Sequence, residues 1–201
     1  MNDAAGSSNP FATRFTRPGA IEFLFPDGES AEGLVERLRS GLWQGEIVGP
    51  HGAGKSTLLA TLSQSLQAAG RTIVQATLHQ GETSLPAALD DWRSWSATTQ
   101  VIVDGYEQLS WWSRRRLARR VRDRQAGLLV TSHAPTGLPR LLTVAPQLGA
   151  ADQIVRQLVA DEELITRSDI EHFFRACDGN VREMLFQLYD VYQGRVREKL
   201  P

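Results

Sequence analysis

The chain has little of several features that mark specialised classes of protein. It has 201 residues but a single cysteine, Cys177, so no disulfide can form within it, and we expect a reducing, cytoplasmic compartment. No apolar run approaches the roughly 20 residues of a membrane span. A net charge of −1 excludes attraction of the whole molecule to nucleic acid or acidic lipid. The remaining composition, 41% hydrophobic and 22% charged, is typical of an ordinary globular protein.

The sequence also predicts how the chain is divided. Residues 1–15 are polar, rich in small residues and without the apolar core of a secretory signal, so we expect residues 1–17 to form a flexible N-terminal tail. Alternating strand and helix patterns occupy residues 18–149, and an entirely helical pattern follows. We therefore predict a core of residues 18–149 and a small helical lid, or terminal bundle, of residues 150–201.

A glycine-rich stretch matches the pattern G-x-x-x-x-G-K-[ST] at every fixed position. The glycines let the backbone curl tightly, so that its N–H groups point at phosphate oxygens. Lys55 is expected to reach the β- and γ-phosphates of a nucleotide, and the Ser56 hydroxyl to bind Mg²⁺. His51 occupies a variable position, and we expect its side chain to face away. The predicted nucleotide-binding residues are Gly49, Pro50, His51, Gly52, Ala53, Gly54, Lys55, Ser56 and Thr57.

Strand and helix patterns on both sides of this stretch support its assignment. A short apolar strand, residues 46–48, precedes it, and leucines at helical spacing follow it up to Leu66, with Gly70 placed to end that helix. Strands alternating with helices predict a three-layer α/β fold with a five-stranded parallel sheet. The other predicted strands are residues 72–77, 101–104, 127–132 and 141–144. One further helix is predicted directly after Ser30, and two others at residues 87–95 and 113–124. Breaks near Glu162 and Gly179 divide the predicted C-terminal helices.

A second pattern of nucleotide sites ends the third predicted strand. Val101, Ile102 and Val103 form an apolar run, and Asp104 follows at the carboxyl end, the edge where ligands bind in open α/β sheets. This is the Walker B pattern, which predicts that Asp104 and Ser56 hold Mg²⁺, Asp104 usually through water. The plainer alternative is an acid that merely ends a strand.

The order of these patterns resembles the additional-strand class of P-loop NTPases, and within that class the AAA+ and STAND ATPases. The resemblance covers residues 30–195 and implies ATP and Mg²⁺ as cofactors. It implies that Thr131 or Ser132, at the end of the fourth strand, acts as sensor 1 at the γ-phosphate, and that Arg182 acts as sensor 2 from the lid. It also implies that Arg140 is an arginine finger for a neighbouring subunit's nucleotide. Each of these residues has a plainer role, as a strand cap or a surface arginine.

One position departs from the AAA+ pattern. The catalytic glutamate that usually follows the Walker B aspartate is replaced by Gly105, and the nearest carboxylate beyond it is that of Glu107. General-base assistance is typically worth about 10²–10⁴ in rate, so a misplaced Glu107 predicts a slow ATPase or a nucleotide-gated switch. His133 either reaches the nucleotide or packs in the turn after the fourth strand.

The densest charge cluster of the chain is rich in arginine. Residues 111–124 carry two tryptophans and seven arginines, with Leu117 and Val121 as the buried side of a helix. Three interpretations stay open. They are a solvated helix face whose arginines pair with acids, a nucleic-acid surface, and a contact with an acidic protein partner or a neighbouring subunit's nucleotide.

These patterns together predict an ATP-binding, slowly ATP-hydrolysing module that acts as a nucleotide-dependent switch on a partner protein or within a homo-oligomer, with no membrane partner. One alternative is a small-molecule kinase that uses the arginines of residues 114–124 to clamp phosphate. Another is a non-hydrolysing, nucleotide-gated module that binds nucleic acid or protein. An ABC transporter subunit is disfavoured because no serine-glycine-glycine signature precedes Asp104, and a GTPase because no Asn-Lys-x-Asp motif occurs.

Overall fold

Five parallel strands form the sheet of the larger of two units. The computed structural model describes residues 9–161 and 163–199, and the larger unit contains Phe23–Gly49 and Lys55–Val144. Its strands are β1 (Gln44–Val48), β2 (Thr72–Thr77), β3 (Thr99–Asp104), β4 (Gly127–Ser132) and β5 (Arg140–Thr143). Their order across the sheet is β2-β3-β4-β1-β5, with all neighbours parallel. The predicted five-stranded parallel sheet is confirmed.

Seven α-helices lie in the described residues. They are α1 (Thr13–Thr16), α2 (Ala31–Ser40), α3 (Lys55–Ala68), α4 (Trp111–Asp123), α5 (Leu148–Leu158), α6 (Arg167–Ala176) and α7 (Val181–Lys199). Short 3₁₀ turns occur at Ala87–Leu89, Trp92–Ser94 and Tyr106–Gln108. Helices α2, α3 and α4 belong to the larger unit and the others to the smaller unit. Among the residues described, no helix has the length and apolar character needed to cross a membrane.

The strand order places β4 between the strand that precedes the glycine-rich loop and the strand that ends at Asp104. Val48 of β1 is paired with Ser132 of β4, and Val103 of β3 with Val130 of β4. The carboxyl ends of β1, β3 and β4 therefore meet at one edge of the sheet. In open α/β sheets this is the edge at which ligands bind.

Helices cover both faces of the sheet because its central strands are apolar on both sides. Val101 and Val103 of β3 pack in one cluster with Leu117 of α4. Ile102, which lies between them, points to the opposite face, because successive side chains of a strand alternate. Helix α3 contacts β2 and β3 and buries four leucines. The predicted layers of helix, sheet and helix are thus present in this unit.

Residues 87–95 form no continuous α-helix, contrary to the sequence prediction. They form two 3₁₀ turns instead. Their apolar anchors are Leu89, Trp92 and Trp95, of which the first and last are buried and the second half-buried. A spacing of three matches the repeat of a 3₁₀-helix, about 3.0 residues per turn, better than the roughly 3.6 of an α-helix.

The smaller unit is built around α5, α6 and α7. Its apolar core includes Val155 of α5, Ile170 of α6 and Met184 of α7. The predicted helix breaks fall between α5 and α6 and before α7, although Glu162 itself lies outside the described residues.

An ion pair joins two helices of this unit. Arg195 of α7 donates hydrogen bonds of 2.5 and 3.0 Å to the two carboxylate oxygens of Asp169 of α6. These hydrogen bonds are the main reason that the pKa of Asp169 falls to about 2, and Thr166, which starts α6, adds to them.

Residues 9–17 belong to the packed smaller unit and not to a flexible tail. Phe11 is 1% exposed, and its ring lies edge-to-face with Tyr192, with 6.0 Å between the ring centroids. The side-chain amide of Asn9 donates a 2.9 Å hydrogen bond to a backbone carbonyl of α7. The prediction was wrong for this stretch because one aromatic anchor leaves no periodic pattern. Residues 1–8 of the predicted tail lie outside the described residues.

Candidate functional site

Three residues from separate elements meet at the end of β3. Asp104 Oδ1 accepts a hydrogen bond of 2.5 Å from the Thr131 hydroxyl of β4, and its Oδ2 accepts one of 2.6 Å from the Ser56 hydroxyl of α3. The backbone N–H of Gly105 donates to Thr131 Oγ1 at 3.0 Å, which fixes the orientation of that hydroxyl. Ser56 of the glycine-rich pattern, Asp104 of the Walker B pattern and one candidate sensor thus form a single hydrogen-bonded cluster.

The cluster offers ligands that suit Mg²⁺. Ser56 and Asp104 present hydroxyl and carboxylate oxygens, the hard donors that this ion takes in phosphate-handling sites. Within residues 9–161 and 163–199, no group of three or more His, Cys, Asp and Glu side chains is placed to enclose a metal ion. Mg²⁺ usually keeps several waters and takes one or two carboxylates plus phosphate oxygens, so the donor set present here fits that ion.

Of the two candidates for sensor 1, Thr131 is the one that contacts this cluster. Both Thr131 and Ser132 are fully buried. The Ser132 hydroxyl donates to the backbone oxygen of Ala134 at 2.7 Å. Because successive residues of a strand point to opposite faces, Ser132 closes the turn after β4 while Thr131 reaches Asp104.

Lys55 begins α3, and its ammonium is turned back to the start of the glycine-rich loop. The side chain is buried, and Nζ donates to the backbone oxygen of Gly49 at 2.6 Å. His133 Nδ1 lies 3.4 Å from this Nζ and 3.2 Å from the same carbonyl oxygen. Glycine is required at position 49 because a Cβ there would overlap the backbone oxygen of Val144. These contacts keep the ammonium at the carboxyl edge of the sheet.

Glu107 returns to the sheet edge although it lies three residues beyond Asp104. Gly105, with a φ of +83°, starts a 3₁₀ turn, and Arg114 holds that turn through a 2.7 Å hydrogen bond to the Glu107 backbone oxygen. The Glu107 Oε1 then lies 2.9 Å from His133 Nε2. Its Oε2 is buried without a hydrogen-bond partner in the part of the chain that the structure describes. One carboxylate oxygen is therefore held by His133, and the other is buried without a partner.

His133 is the site residue whose role the sequence left open. An ionised carboxylate only accepts hydrogen bonds, so Nε2 of His133 donates to Glu107. Its Nδ1 accepts from Lys55 in the neutral imidazole and donates to the Gly49 oxygen in the imidazolium. His133 therefore connects the loop residues to Glu107 in both protonation states. The one signal for this residue in the sequence is its position directly after the polar end of β4, but its contacts are all tertiary.

In the smaller unit, the tip of the glycine-rich loop lies against the start of α7. The tip, Pro50–Gly54, belongs to this unit. Gly52 has a φ of +68°, and a Cβ there would overlap the side chain of Asn180. Asn180 Oδ1 accepts a 3.1 Å hydrogen bond from the backbone N of Glu183 and so caps α7. Arg182, the predicted sensor 2, is exposed in the first turn of that helix.

The remaining predicted loop residues differ in their exposure. Pro50 and His51 are exposed, and Ala53 is half-buried. Gly54 has a φ of +95°, a conformation that residues with a Cβ rarely adopt. Thr57 lies in the first turn of α3, and its backbone oxygen accepts a 3.2 Å hydrogen bond from the Thr61 hydroxyl.

Arg140 lies on β5, three strands across the sheet from β3, which ends at Asp104. It is the first residue of β5 and is paired in register with Glu46 of β1. Its guanidinium lies 3.4 Å from Glu46 Oε1, and the Glu46 side chain is only 2% exposed. The backbone N and hydroxyl of Thr136 donate to Glu46 Oε2 at 2.7 and 2.6 Å. In its own chain Arg140 therefore compensates a buried carboxylate.

The arginine-rich segment divides into inward-facing and outward-facing side chains. Arg114 donates from Nε to the Leu109 backbone oxygen at 2.9 Å, and Arg120 donates from Nη1 to the Leu89 backbone oxygen at 3.0 Å. These two arginines hold neighbouring loops of the larger unit. The exposed arginines of α4 are Arg115, Arg116, Arg119 and Arg122.

Comparison with known proteins identifies the fold. No protein-family model matches the chain, and no curated protein matches it. Among solved structures, two variants of RuvB from Thermotoga maritima are similar to it, one with a TM-score of 0.54 and 17% identity and the other with 0.51 and 16%. Each match covers 85% of this chain and 63% of the RuvB chain, so the chain spans less than two thirds of RuvB. RuvB is an AAA+ P-loop ATPase, and this chain has a P-loop NTPase fold like that of RuvB.

Proposed function

We propose that the chain binds ATP with Mg²⁺ and hydrolyses it slowly, as an AAA+-like module whose nucleotide state acts on a partner. The observation that carries this proposal is the hydrogen-bonded cluster of Ser56, Asp104 and Thr131. It joins two nucleotide-binding patterns that lie far apart in the sequence. The plainer alternative is a glycine-rich turn that contains a lysine by chance. That alternative does not explain why Ser56 is hydrogen-bonded to Asp104 at the end of another strand.

Each residue of the site has a role in binding. The backbone N–H groups of the glycine-rich loop and of the first turn of α3 would hold phosphate oxygens. Lys55 would exchange the carbonyl of Gly49 for the β- and γ-phosphates. Ser56 and Asp104 would hold Mg²⁺, which would supply positive charge to neutralise the phosphates.

Slow turnover is expected from the way in which Glu107 is placed. A general base needs a carboxylate oxygen within reach of the attacking water. Glu107 Oε2 is buried without a hydrogen-bond partner among the described residues, so it would have to become accessible when nucleotide binds. The position directly after Asp104 is Gly105, so the carboxylate reaches the edge only through a turn and a contact with His133. We propose that Glu107 orients the water and that His133 acts as a positioning residue for it.

The switch role is supported by the contact between the loop tip and α7. A change at Gly52 on nucleotide binding would bear directly on Asn180, which caps the helix that carries Arg182. We propose that Arg182 acts as sensor 2 and distinguishes ATP from ADP, with residues 150–201 as the lid. Arg140 stays a proposed arginine finger, which requires a homo-oligomer.

A non-hydrolysing, nucleotide-gated module is the second candidate. The observation in its favour is Gly105, which stands where an AAA+ ATPase usually has its catalytic glutamate. The two candidates share the binding site and differ in whether Glu107 activates water.

The proposal is tested by ATP binding and turnover of the wild-type chain, Lys55→Ala and Lys199→Ala. Lys199 is the only other lysine of the chain and so is the matched control. A charge-assisted hydrogen bond is worth roughly 1.5–3 kcal/mol, so Lys55→Ala should weaken ATP binding by about ten- to a hundredfold while Lys199→Ala leaves it unchanged. Equal affinities in calorimetry would refute the site. Binding without turnover selects the second candidate, and transfer of phosphate to an added small molecule selects a kinase.

A further inference from the structure

The outer side of α4 carries a surface that the proposed ATPase does not use. We define the arginine face as Trp112, Arg115, Arg116, Arg119 and Arg122, which are all exposed and recur at helical spacing. We propose that the arginine face binds single-stranded nucleic acid. The proposal does not depend on nucleotide binding, because none of these residues belongs to the Asp104 cluster.

The arginine face concentrates positive charge in a chain whose net charge is −1. From Trp112 to Arg122 it extends about 15 Å, at roughly 1.5 Å per helical residue, which is long enough to meet several phosphates. The nearest acid on the same helix is Asp123, which lies 3.6 Å from Arg119. Both side chains of that pair are well exposed, at 78% and 44%, so water and salt screen it and Arg119 can exchange it for a phosphate.

A groove of about 530 Å³ beside α4 extends this surface, and arginines outnumber aspartates in its lining by four to two. Arg93 and Arg120 lie over the ring of Trp92, with their guanidinium carbons 4.9 and 5.6 Å from its centroid. The pKa of Arg120 is lowered, first by burial and then by the positive charge of Arg116. Arg120 is buried and lies 3.9 Å from Asp90, so the accessible positive charge of the groove is that of Arg93, Arg116 and Arg119, which favours a bound polyanion.

The tryptophans favour nucleic acid over an acidic protein as the partner. Trp111 and Trp112 are 60% and 74% exposed, and their rings meet edge-to-face with 4.5 Å between centroids. Exposed indole rings next to cations are stacking platforms for bases, and an acidic peptide offers carboxylates without flat rings. The cations are arginines in a chain that has 20 arginines and two lysines, and guanidinium both binds phosphate bidentately and stacks.

The same rings favour a single strand over a duplex. In a duplex the bases are stacked on one another, so an exposed tryptophan has no free base face to cover. A single strand presents both phosphates and unpaired bases along one side, which matches a row of arginines that ends in a tryptophan.

The experiment uses the full chain and a fluorescent oligothymidylate of about 20 nucleotides, with anisotropy read at salt concentrations from about 50 to 200 mM. Arg115→Gln/Arg119→Gln removes two charges from the arginine face, and Trp112→Ala removes the exposed ring. Arg167→Gln/Arg175→Gln is the matched control, because these exposed arginines of α6 each pair with Glu171 and their loss changes the net charge equally. Circular dichroism checks that each variant is folded.

We expect binding whose affinity falls with salt at a logarithmic slope of about −2, from about three phosphates at roughly −0.7 each. The Arg115/Arg119 variant and Trp112→Ala should each bind about tenfold more weakly, and the Arg167/Arg175 control should bind as the wild type does. Lys55→Ala should also bind normally, which separates this proposal from the ATPase.

Three results would overturn the proposal. They are no binding at the lowest salt, an equal loss in the control variant, and a preference for a duplex or a polyglutamate peptide over the oligothymidylate. The peptide result assigns the arginine face to an acidic protein partner.

Discussion

Replacing Thr131 by valine removes one hydroxyl from the centre of the site and nearly keeps the side-chain shape. That hydroxyl donates to Asp104 and accepts from the backbone N–H of Gly105, and the side chain is 0% exposed. A buried polar group that loses its partner costs about 1–3 kcal/mol. Two groups lose a partner here, so we expect the free energy of unfolding to fall by about 2–6 kcal/mol. Urea denaturation followed by circular dichroism measures this loss.

Thr131→Val should also affect ATP turnover, because Asp104 loses the hydrogen bond that orients its carboxylate. We expect turnover to fall by about tenfold, the effect of roughly 1.4 kcal/mol on a barrier. Ser132→Ala is the matched control on the next residue of β4. Its hydroxyl donates only to the Ala134 carbonyl, so its loss should cost about 1 kcal/mol of stability and leave turnover unchanged. Wild-type turnover in Thr131→Val, or an equal loss in Ser132→Ala, would contradict the assignment of Thr131 as sensor 1.

Three further predictions follow from single contacts. Gly52→Ala places a Cβ against Asn180 at a φ of +68°, so calorimetry should find ATP binding weakened by about tenfold or more. Phe11→Ala empties a buried site in the smaller unit and should lower the free energy of unfolding by about 3–5 kcal/mol in urea denaturation. Asp169, whose pKa of about 2 lies below its usual 3.8, adds stability that is present above pH 4 and is lost as the pH falls to 2. Asp169→Asn should therefore lower the free energy of unfolding by about 1–2 kcal/mol at neutral pH, allowing for solvent screening. It should also make stability less dependent on pH between about pH 4 and pH 2.

Each of these predictions has a control in the chain. Gly81→Ala has the same backbone strain, with a φ of +91°, but no atom within 4 Å of the new Cβ, so it should leave ATP affinity unchanged. Phe15→Ala removes a ring that is 39% exposed and should cost much less than Phe11→Ala. Asp190→Asn replaces an exposed carboxylate of α7 and should cost less stability at neutral pH than Asp169→Asn. A control that behaves like its partner variant would remove the structural reason given for that prediction.

Features that depend on neighbouring residues could be predicted from the sequence. The residues 72–77 and 127–132 are strands as predicted, because runs of apolar and β-branched residues bounded by turns specify strands locally. Ser30 caps α2 by accepting from the backbone N of Gly33, another short-range signal. The glycine-rich loop and Asp104 could be proposed as a nucleotide site because that chemistry requires fixed residue types at fixed positions.

Contacts between distant residues could not be predicted. His133 and Glu107 are brought together by a turn that starts at Gly105, and no local pattern indicates which nitrogen faces which oxygen. Arg114 and Arg120 have the same sequence context as the exposed arginines beside them, and only the packed loops show that they face inward. Hydrophobic periodicity predicts which face of a helix is buried. It does not predict that a long arginine side chain on that helix will donate a hydrogen bond to a backbone oxygen of a neighbouring loop.

Because Lys55 is buried, its chemical reactivity can be used to follow changes in the glycine-rich loop. The Lys55 ammonium is hydrogen-bonded to the Gly49 carbonyl, and the residue is only 9% exposed. The side chain of Lys199, the only other lysine, is 49% exposed. An amine-selective reagent should therefore modify Lys199 quickly and Lys55 slowly, and mass spectrometry separates the two products. The ratio of the two modification rates, measured during a titration with ATP, reports changes in the environment of Lys55. Lys199 serves as the internal standard, so no added label is needed.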